Sequence, residues 1–122
     1  MARKKILIVD DSPTGLKAAS AVLKNYDILT AADGKIAIEM ALAEKPDLIL
    51  LDVIMPNMDG FQACRKIKKS PELQHIPIIM LTSKNQKSDK FWGEKQGADV
   101  YLTKPCEDSV LIREVEQIIG EG

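Results

Sequence analysis

Short apolar runs alternate along the chain with longer stretches whose apolar residues have helical spacing. The runs are rich in branched aliphatic side chains and are bounded by turn-forming residues, which is typical of strands buried on both faces. They lie at positions 5–9, 27–31, 48–51, 78–81 and 100–103. The alternation predicts an α/β protein, with a five-stranded parallel sheet covered by helices on both faces.

Five helices are predicted, one after each strand. The first helix has the apolar stripe Leu16, Ala19, Val22 and Leu23, and the second has Ile36, Met40 and Ala43. The third has Phe61, Cys64 and Ile67, and the fifth has Leu111, Val115 and Ile118. The fourth helix, at about 87–96, is the weakest, because its large apolar residues are the adjacent pair Phe91 and Trp92. It also contains Gly93, which costs ~1 kcal/mol relative to alanine inside a helix. We expect one of the two aromatic side chains to pack this helix on the sheet.

Acidic residues follow two of the predicted strands. Asp10 and Asp11 end the first, and Asp52 ends the third. In a doubly wound sheet of order 2-1-3-4-5, the ligand site lies beyond the carboxyl ends of strands one and three. Three carboxylates gathered there repel one another, so the arrangement requires a hard divalent metal ion, a lysine, or both.

Length, charge and composition argue against several classes of protein. The 122 residues suffice for one domain over 1–122, and a net charge of -1 without an aromatic-rich basic patch argues against nucleic-acid binding. No apolar stretch is long enough to span a bilayer or to form a signal peptide, so we expect a cytoplasmic protein that does not bind membranes. Cys64 and Cys106 lack the spacing of a redox pair, and His75 is read as a solvated loop residue.

The order of several short motifs resembles that of response-regulator receiver domains over essentially the whole chain. These motifs are Asp10-Asp11; Asp52 with Met55-Pro56-Asn57-Met58-Asp59-Gly60; Thr82-Ser83; and Lys104-Pro105. Each is weak alone, but together they stand at or just beyond successive strand ends. The resemblance implies the flavodoxin-like doubly wound fold and a phospho-acceptor domain that catalyses only its own phosphorylation and dephosphorylation. We assign Asp59-Gly60 a structural role, as a turn and helix start.

The resemblance also implies the residues of the site. Asp52 would be the phospho-acceptor, and Mg²⁺, with Mn²⁺ as a substitute, would be held by Asp11, Asp52 and the backbone carbonyl of Ile54. Asp10 would bind the metal ion through water. Lys104 would contact the acceptor carboxylate and then the phosphate.

Further implications concern the bond after that lysine, the switch and the partners. The peptide bond between Lys104 and Pro105 would be cis. Thr82 would bind the phosphate, and Tyr101 would turn from exposed to buried, changing the surface of helix four, strand five and helix five. A histidine kinase would be the phosphodonor, and we expect a monomer without an output domain. Segment 91–99 resembles stand-alone regulators of type IV pilus (twitching) motility, with flagellar chemotaxis as the next candidate.

Three other functions remain open. A phosphatase or phosphotransferase with an aspartyl nucleophile would share the carboxylates, but typically has a second acid where this chain has Ile54. An FMN-binding module would need a phosphate cradle where Asp10-Asp11 would repel phosphate. A degenerate receiver could act as an unphosphorylated scaffold. Ile54 and the cationic Lys84 depart from well-known chemotaxis regulators, and we expect slower self-dephosphorylation.

Overall fold

The computed structural model describes residues 3–121. Its five strands form one parallel sheet in the order β2-β1-β3-β4-β5, which confirms the predicted topology. The strands are β1 (Lys5–Val9), β2 (Asp27–Ala31), β3 (Leu48–Leu51), β4 (Ile78–Thr82) and β5 (Val100–Thr103).

Five helices connect and follow the strands, as predicted. They are α1 (Pro13–Val22), α2 (Gly34–Glu44), α3 (Gly60–Lys69), α4 (Lys87–Lys95) and α5 (Asp108–Ile119). The first three begin at short polar residues, because the side chains of Ser12, Asp33 and Asp59 accept hydrogen bonds from backbone N–H groups of the first helical turn. Within residues 3–121, no helix is long and apolar enough to cross a bilayer.

The sheet divides the hydrophobic core into two layers. Alternate residues of β1 point to opposite faces, so Leu7 joins the layer of α2 and α3 while Ile8 joins that of α1 and α5. All four residues of β3 are buried. The central strands are therefore covered on both faces, and their polar groups of functional interest lie at the strand ends.

The predicted apolar stripe of α2 was wrong for Ile36 and Ala43, which are exposed, but Met40 is partly buried and packs against the core. Ile36 is 40% exposed, whereas the buried positions are Gly34, Ala37 and Ala41. The small residues let α2 approach α3 closely, since a Cβ on Gly34 would lie 3.2 Å from the Cβ of Ala63. Size therefore outweighed hydrophobicity in choosing the buried face.

The predicted packing of α4 was also wrong. Phe91 and Trp92 are 61% and 50% exposed, and the buried residue of this helix is Gly93. A Cβ on Gly93 would lie 2.7 Å from the Cδ2 atom of Tyr101 and 3.0 Å from the sulfur of Met80. The glycine that weakens the helix thus brings its backbone against the sheet.

Candidate acidic site at the carboxyl edge of the sheet

Two buried acids continue the central strands by one residue. The N–H of Asp10 donates to the Ala31 carbonyl (3.1 Å), and the N–H of Asp52 donates to the Val9 carbonyl (2.9 Å). These ladder bonds fix both Cα atoms at the same edge of the sheet. Asp10 and Asp52 are 5% and 8% exposed, whereas Asp11 is exposed to solvent.

The two carboxylate oxygens of Asp52 have different surroundings. Oδ1 accepts hydrogen bonds from the backbone N–H groups of Val53 (2.6 Å) and Ile54 (3.2 Å). Oδ2 accepts one from Lys104 Nζ at 3.3 Å. The backbone thus orients the carboxylate, and the ammonium group balances its charge.

Lys104 joins the two buried acids. Its Nζ lies 3.0 Å from Asp10 Oδ2 and 3.3 Å from Asp52 Oδ2. Its backbone N–H donates to the Thr82 carbonyl, and its bond to Pro105 is cis. Burial by itself lowers the pKa of the ammonium, but the hydrogen bond to Asp10 and the charge of Asp52 outweigh it, so the pKa is raised above its ordinary 10.5.

The carboxylate of Asp10 is turned away from solvent. Its Oδ1 accepts a hydrogen bond from the Ser12 N–H at 2.9 Å, and its Oδ2 faces Lys104. Among residues 3–121, no three His, Cys, Asp or Glu side chains are arranged to hold a metal ion. Asp11 and Asp52 nevertheless present the carboxylate oxygens that Mg²⁺ prefers. Three carboxylates against one ammonium leave a net charge of -2, so the donor set fits a divalent cation.

Thr82 and Tyr101 connect the site to α4. Thr82 is fully buried, and its Oγ1 accepts a long hydrogen bond from the Lys84 N–H (3.4 Å). The Tyr101 hydroxyl donates to the Lys84 carbonyl at 2.8 Å, so the ring already points inward and is only 8% exposed. Burial and the negative charges of Asp89 and Asp52 raise the pKa of Tyr101 to about 12.

The side chains of the two unusual positions lie at the surface. Ile54 is 51% exposed, and Lys84 Nζ is paired with Asp89 Oδ1 at 3.8 Å. The loop between β3 and α3 returns close to the acid, because Gly60 donates its N–H to the Val53 carbonyl (2.9 Å). A Cβ on Gly60 would lie 2.7 Å from the Val53 Cα atom. The turn at Asp59-Gly60 was predicted from the sequence, but this close backbone approach was not.

Fold and site together define an α/β protein with an acidic centre at the point where the strand order reverses. Residues 6–116 match the family described as "Response regulator receiver domain", and the chain belongs to that family. It is therefore a receiver domain of the kind found in two-component response regulators. Receiver domains are regulatory phospho-acceptor domains rather than classical enzymes.

Several curated relatives align with most of the chain. Protein PilH of Pseudomonas aeruginosa is 42% identical over 118 residues, which are 95% of this chain and 98% of PilH. Response regulator PleD of Caulobacter vibrioides is 41% identical over 93% of this chain, but the match covers only 26% of PleD. The chain thus spans nearly all of PilH and about a quarter of PleD.

Solved structures have the same fold. Chemotaxis protein CheY4 of Vibrio cholerae superposes with a TM-score of 0.89 at 33% identity, covering 96% of this chain and 99% of CheY4. The receiver domain of sensor histidine kinase PA1611 from Pseudomonas aeruginosa has a TM-score of 0.90 at 32% identity, covering 98% of this chain and 99% of that chain. That domain has a magnesium ion coordinated in its active site cleft.

Proposed function

We propose that this receiver domain accepts a phosphoryl group from a histidine kinase on Asp52. A carboxylate oxygen of Asp52 attacks phosphorus, the phosphorus–nitrogen bond of the phosphohistidine breaks, and its electron pair returns to the imidazole ring. The observation that supports the proposal most strongly is the environment of the Asp52 carboxylate. It is buried, oriented by two backbone N–H groups and paired with Lys104. Lys104 then contacts the phosphate oxygens and offsets their charge.

Mg²⁺ is the cofactor that the donor set supports best, with Mn²⁺ as a substitute. Asp11, Asp52 and the carbonyl of Ile54 would bind it directly, and Asp10 through a water molecule. When bound, the ion neutralises negative charge on the phosphoryl group in the transition state. The magnesium ion of the PA1611 receiver domain supports this assignment.

The signal passes from the phosphate through Thr82. Its Oγ1 already accepts from the Lys84 N–H, so its own hydrogen remains available to donate to a phosphate oxygen. Movement of Thr82 would shift Lys84, whose carbonyl holds the Tyr101 hydroxyl. In this structure Tyr101 is 8% exposed and its hydroxyl is bound to the Lys84 carbonyl, so the switch would displace this tether and α4 together with the ring.

The output is protein contact through the surface formed by α4, β5 and α5, or removal of phosphate from the kinase as a sink. The resemblance of segment 91–99 to regulators of type IV pilus (twitching) motility supports that process, and the match to PilH over 98% of its length supports stand-alone action. Similarity to chemotaxis protein CheY4 supports chemotaxis as the second candidate. We propose a cytoplasmic monomer that binds neither nucleic acid nor membrane and catalyses only its own phosphorylation and dephosphorylation.

Incubation with Mg²⁺ and acetyl phosphate, followed by intact mass spectrometry, tests the proposal. We expect one added phosphoryl group, which is absent after chelation of the metal ion and absent in Asp52→Asn. No added mass in the wild type would contradict phosphorylation and favour the scaffold. Sustained hydrolysis of an added phosphomonoester would instead favour the aspartyl phosphatase, whose usual second acid is replaced here by Ile54.

A further inference from the structure

The inward position of Asp10 depends on the first turn of α1. The carboxylate lies beneath this turn, where the Ser12 N–H binds Oδ1 at 2.9 Å and Lys104 Nζ binds Oδ2 at 3.0 Å. It also borders a small cavity of about 20 Å³ that is lined by Gly15, Lys104 and Asp52, among others. Both oxygens are thus bound to protein groups, away from solvent.

Gly15 provides the space for this carboxylate. A Cβ at position 15 would overlap Asp10 Oδ2 and lie 2.9 Å from Cγ and 3.4 Å from Oδ1. The backbone does not require glycine, because Gly15 lies within α1 and is not among the positive-φ residues of the described chain. Alanine would favour the helix by about 1 kcal/mol. The three atoms nearest to such a Cβ all belong to Asp10.

We propose that Gly15 is a positioning residue that holds Asp10 in this inward, lysine-paired position and thereby weakens Mg²⁺ binding. The inference rests on the proposed function, in which Asp10 contributes to the metal site through water. The Asp10 carboxylate is only 5% exposed, and its bonds to Lys104 and to the Ser12 N–H compete with that water for the same oxygens. If the inward position is occupied in about nine molecules of ten, the apparent Kd for Mg²⁺ rises about tenfold, because only the outward fraction binds well.

In this position the Asp10 carboxylate faces Lys104, whereas Asp11 is exposed to solvent. An added methyl group at position 15 would push the Asp10 carboxylate outward, towards Asp11 and solvent. The Asp10 carboxylate would then be freer to accept a hydrogen bond from a metal-bound water.

Gly15→Ala is the direct test, with Thr14→Ala as the matched control. Thr14 is exposed in the same helical turn, so its replacement raises helix propensity without the overlap with Asp10. Two quantities are measured: the carboxyl ¹³C shift of Asp10 without metal, and the Kd for Mg²⁺ from titration of amide signals. We expect Gly15→Ala to move the metal-free shift towards the Mg²⁺-saturated value and to lower Kd about three- to tenfold. Thr14→Ala should change neither.

An unchanged Asp10 shift and a Kd within about twofold of wild type in Gly15→Ala would overturn the proposal. If this variant does not fold, a metal-free crystal structure of the wild type decides, because an outward Asp10 without contact to Lys104 also overturns it. Failure of the proposed function has a different signature. Asp52 would then gain no phosphoryl group, whereas the Asp10 shift without metal reports on Gly15 regardless of phosphorylation.

Discussion

Replacing Gly93 by alanine tests how α4 is attached to the sheet. In an ordinary helix interior, this change stabilises by about 1 kcal/mol. Here the new methyl group would lie 2.7 Å from Cδ2 and 2.9 Å from Cε2 of the Tyr101 ring. The ring has no open space to enter, because it is 8% exposed and its hydroxyl is bound to the Lys84 carbonyl.

The sign of the effect follows from three contributions to the free energy of unfolding. Overpacking costs about 1–3 kcal/mol. Loss of the Tyr101–Lys84 hydrogen bond costs about 1 kcal/mol. The gain in helix propensity offsets about 1 kcal/mol. We therefore expect Gly93→Ala to destabilise the protein by about 1–3 kcal/mol, opposite in sign to the helix effect alone.

A double-mutant cycle in urea separates these contributions. In a Tyr101→Ala background the ring is gone and the sulfur of Met80 can move, so Gly93→Ala should become neutral or stabilising by up to about 1 kcal/mol. Ser88→Ala, at an exposed position of the same helix, should have the same small effect in both backgrounds. A stabilising effect of Gly93→Ala in the wild type, or an equal loss of stability in both backgrounds, would contradict the contact between α4 and the Tyr101 ring.

Three further predictions concern other parts of the molecule. Gly60→Ala should destabilise by about 3 kcal/mol and reduce phosphorylation, since its Cβ would meet the Val53 backbone, and urea unfolding with acetyl-phosphate labelling checks both. The Tyr101 pKa of about 12 exceeds the ordinary 10.0, so its contribution to stability is complete below pH 10 and falls as pH rises towards 12. Alkaline denaturation of Tyr101→Phe should therefore lose stability less steeply over this window than wild type, and equal slopes would contradict the shift. Thermal or urea unfolding should show less than about 1 kcal/mol loss for the exposed Phe91→Ala, but about 2–5 kcal/mol for Leu73→Ala, which is fully buried.

Strand positions were predictable, because strands buried on both faces carry continuous apolar runs. The sheet order does not follow from these runs; it was expected as a common order for five parallel strands and from the resemblance to receiver domains. The buried faces of the helices were harder to predict from the sequence than the strands. Ile36 follows the helical spacing of the predicted stripe but is exposed, and α2 buries Ala37 and Ala41 most deeply, since small residues permit closer helix packing. Hydrophobicity along the chain does not report this preference, which depends on the shape of the neighbouring α3.

The aromatic pair of α4 shows the same limit. Phe91 and Trp92 are the largest apolar residues of the helix, and the expectation that one would pack on the sheet was reasonable from composition. The sheet instead offers the ring of Tyr101 at the contact, and only Gly93 fits against it. Gly93 lowers the helix propensity of α4, but its lack of a side chain is what allows α4 to pack against Tyr101.

At the site, topology predicted which residues would meet but not how they pair. Asp10, Asp11 and Asp52 follow from the strand ends, and Lys104 from the resemblance to receiver domains. The resemblance implied the contact of Lys104 with Asp52. The pairing of Lys104 with Asp10, and the contact of Gly15 with Asp10, depend on side-chain rotamers. Sequence spacing contains no signal for either.

The identity of the phosphorylated residue tests the central claim most directly. The protein is treated with acetyl phosphate and Mg²⁺, reduced with borohydride, which converts an aspartyl phosphate to homoserine, and mapped by peptide mass spectrometry. The account predicts homoserine at position 52 and at no other acid, with Asp10 and Asp11 unmodified. Homoserine at position 10 or 11, or none at all under conditions that label a known receiver domain, would contradict it.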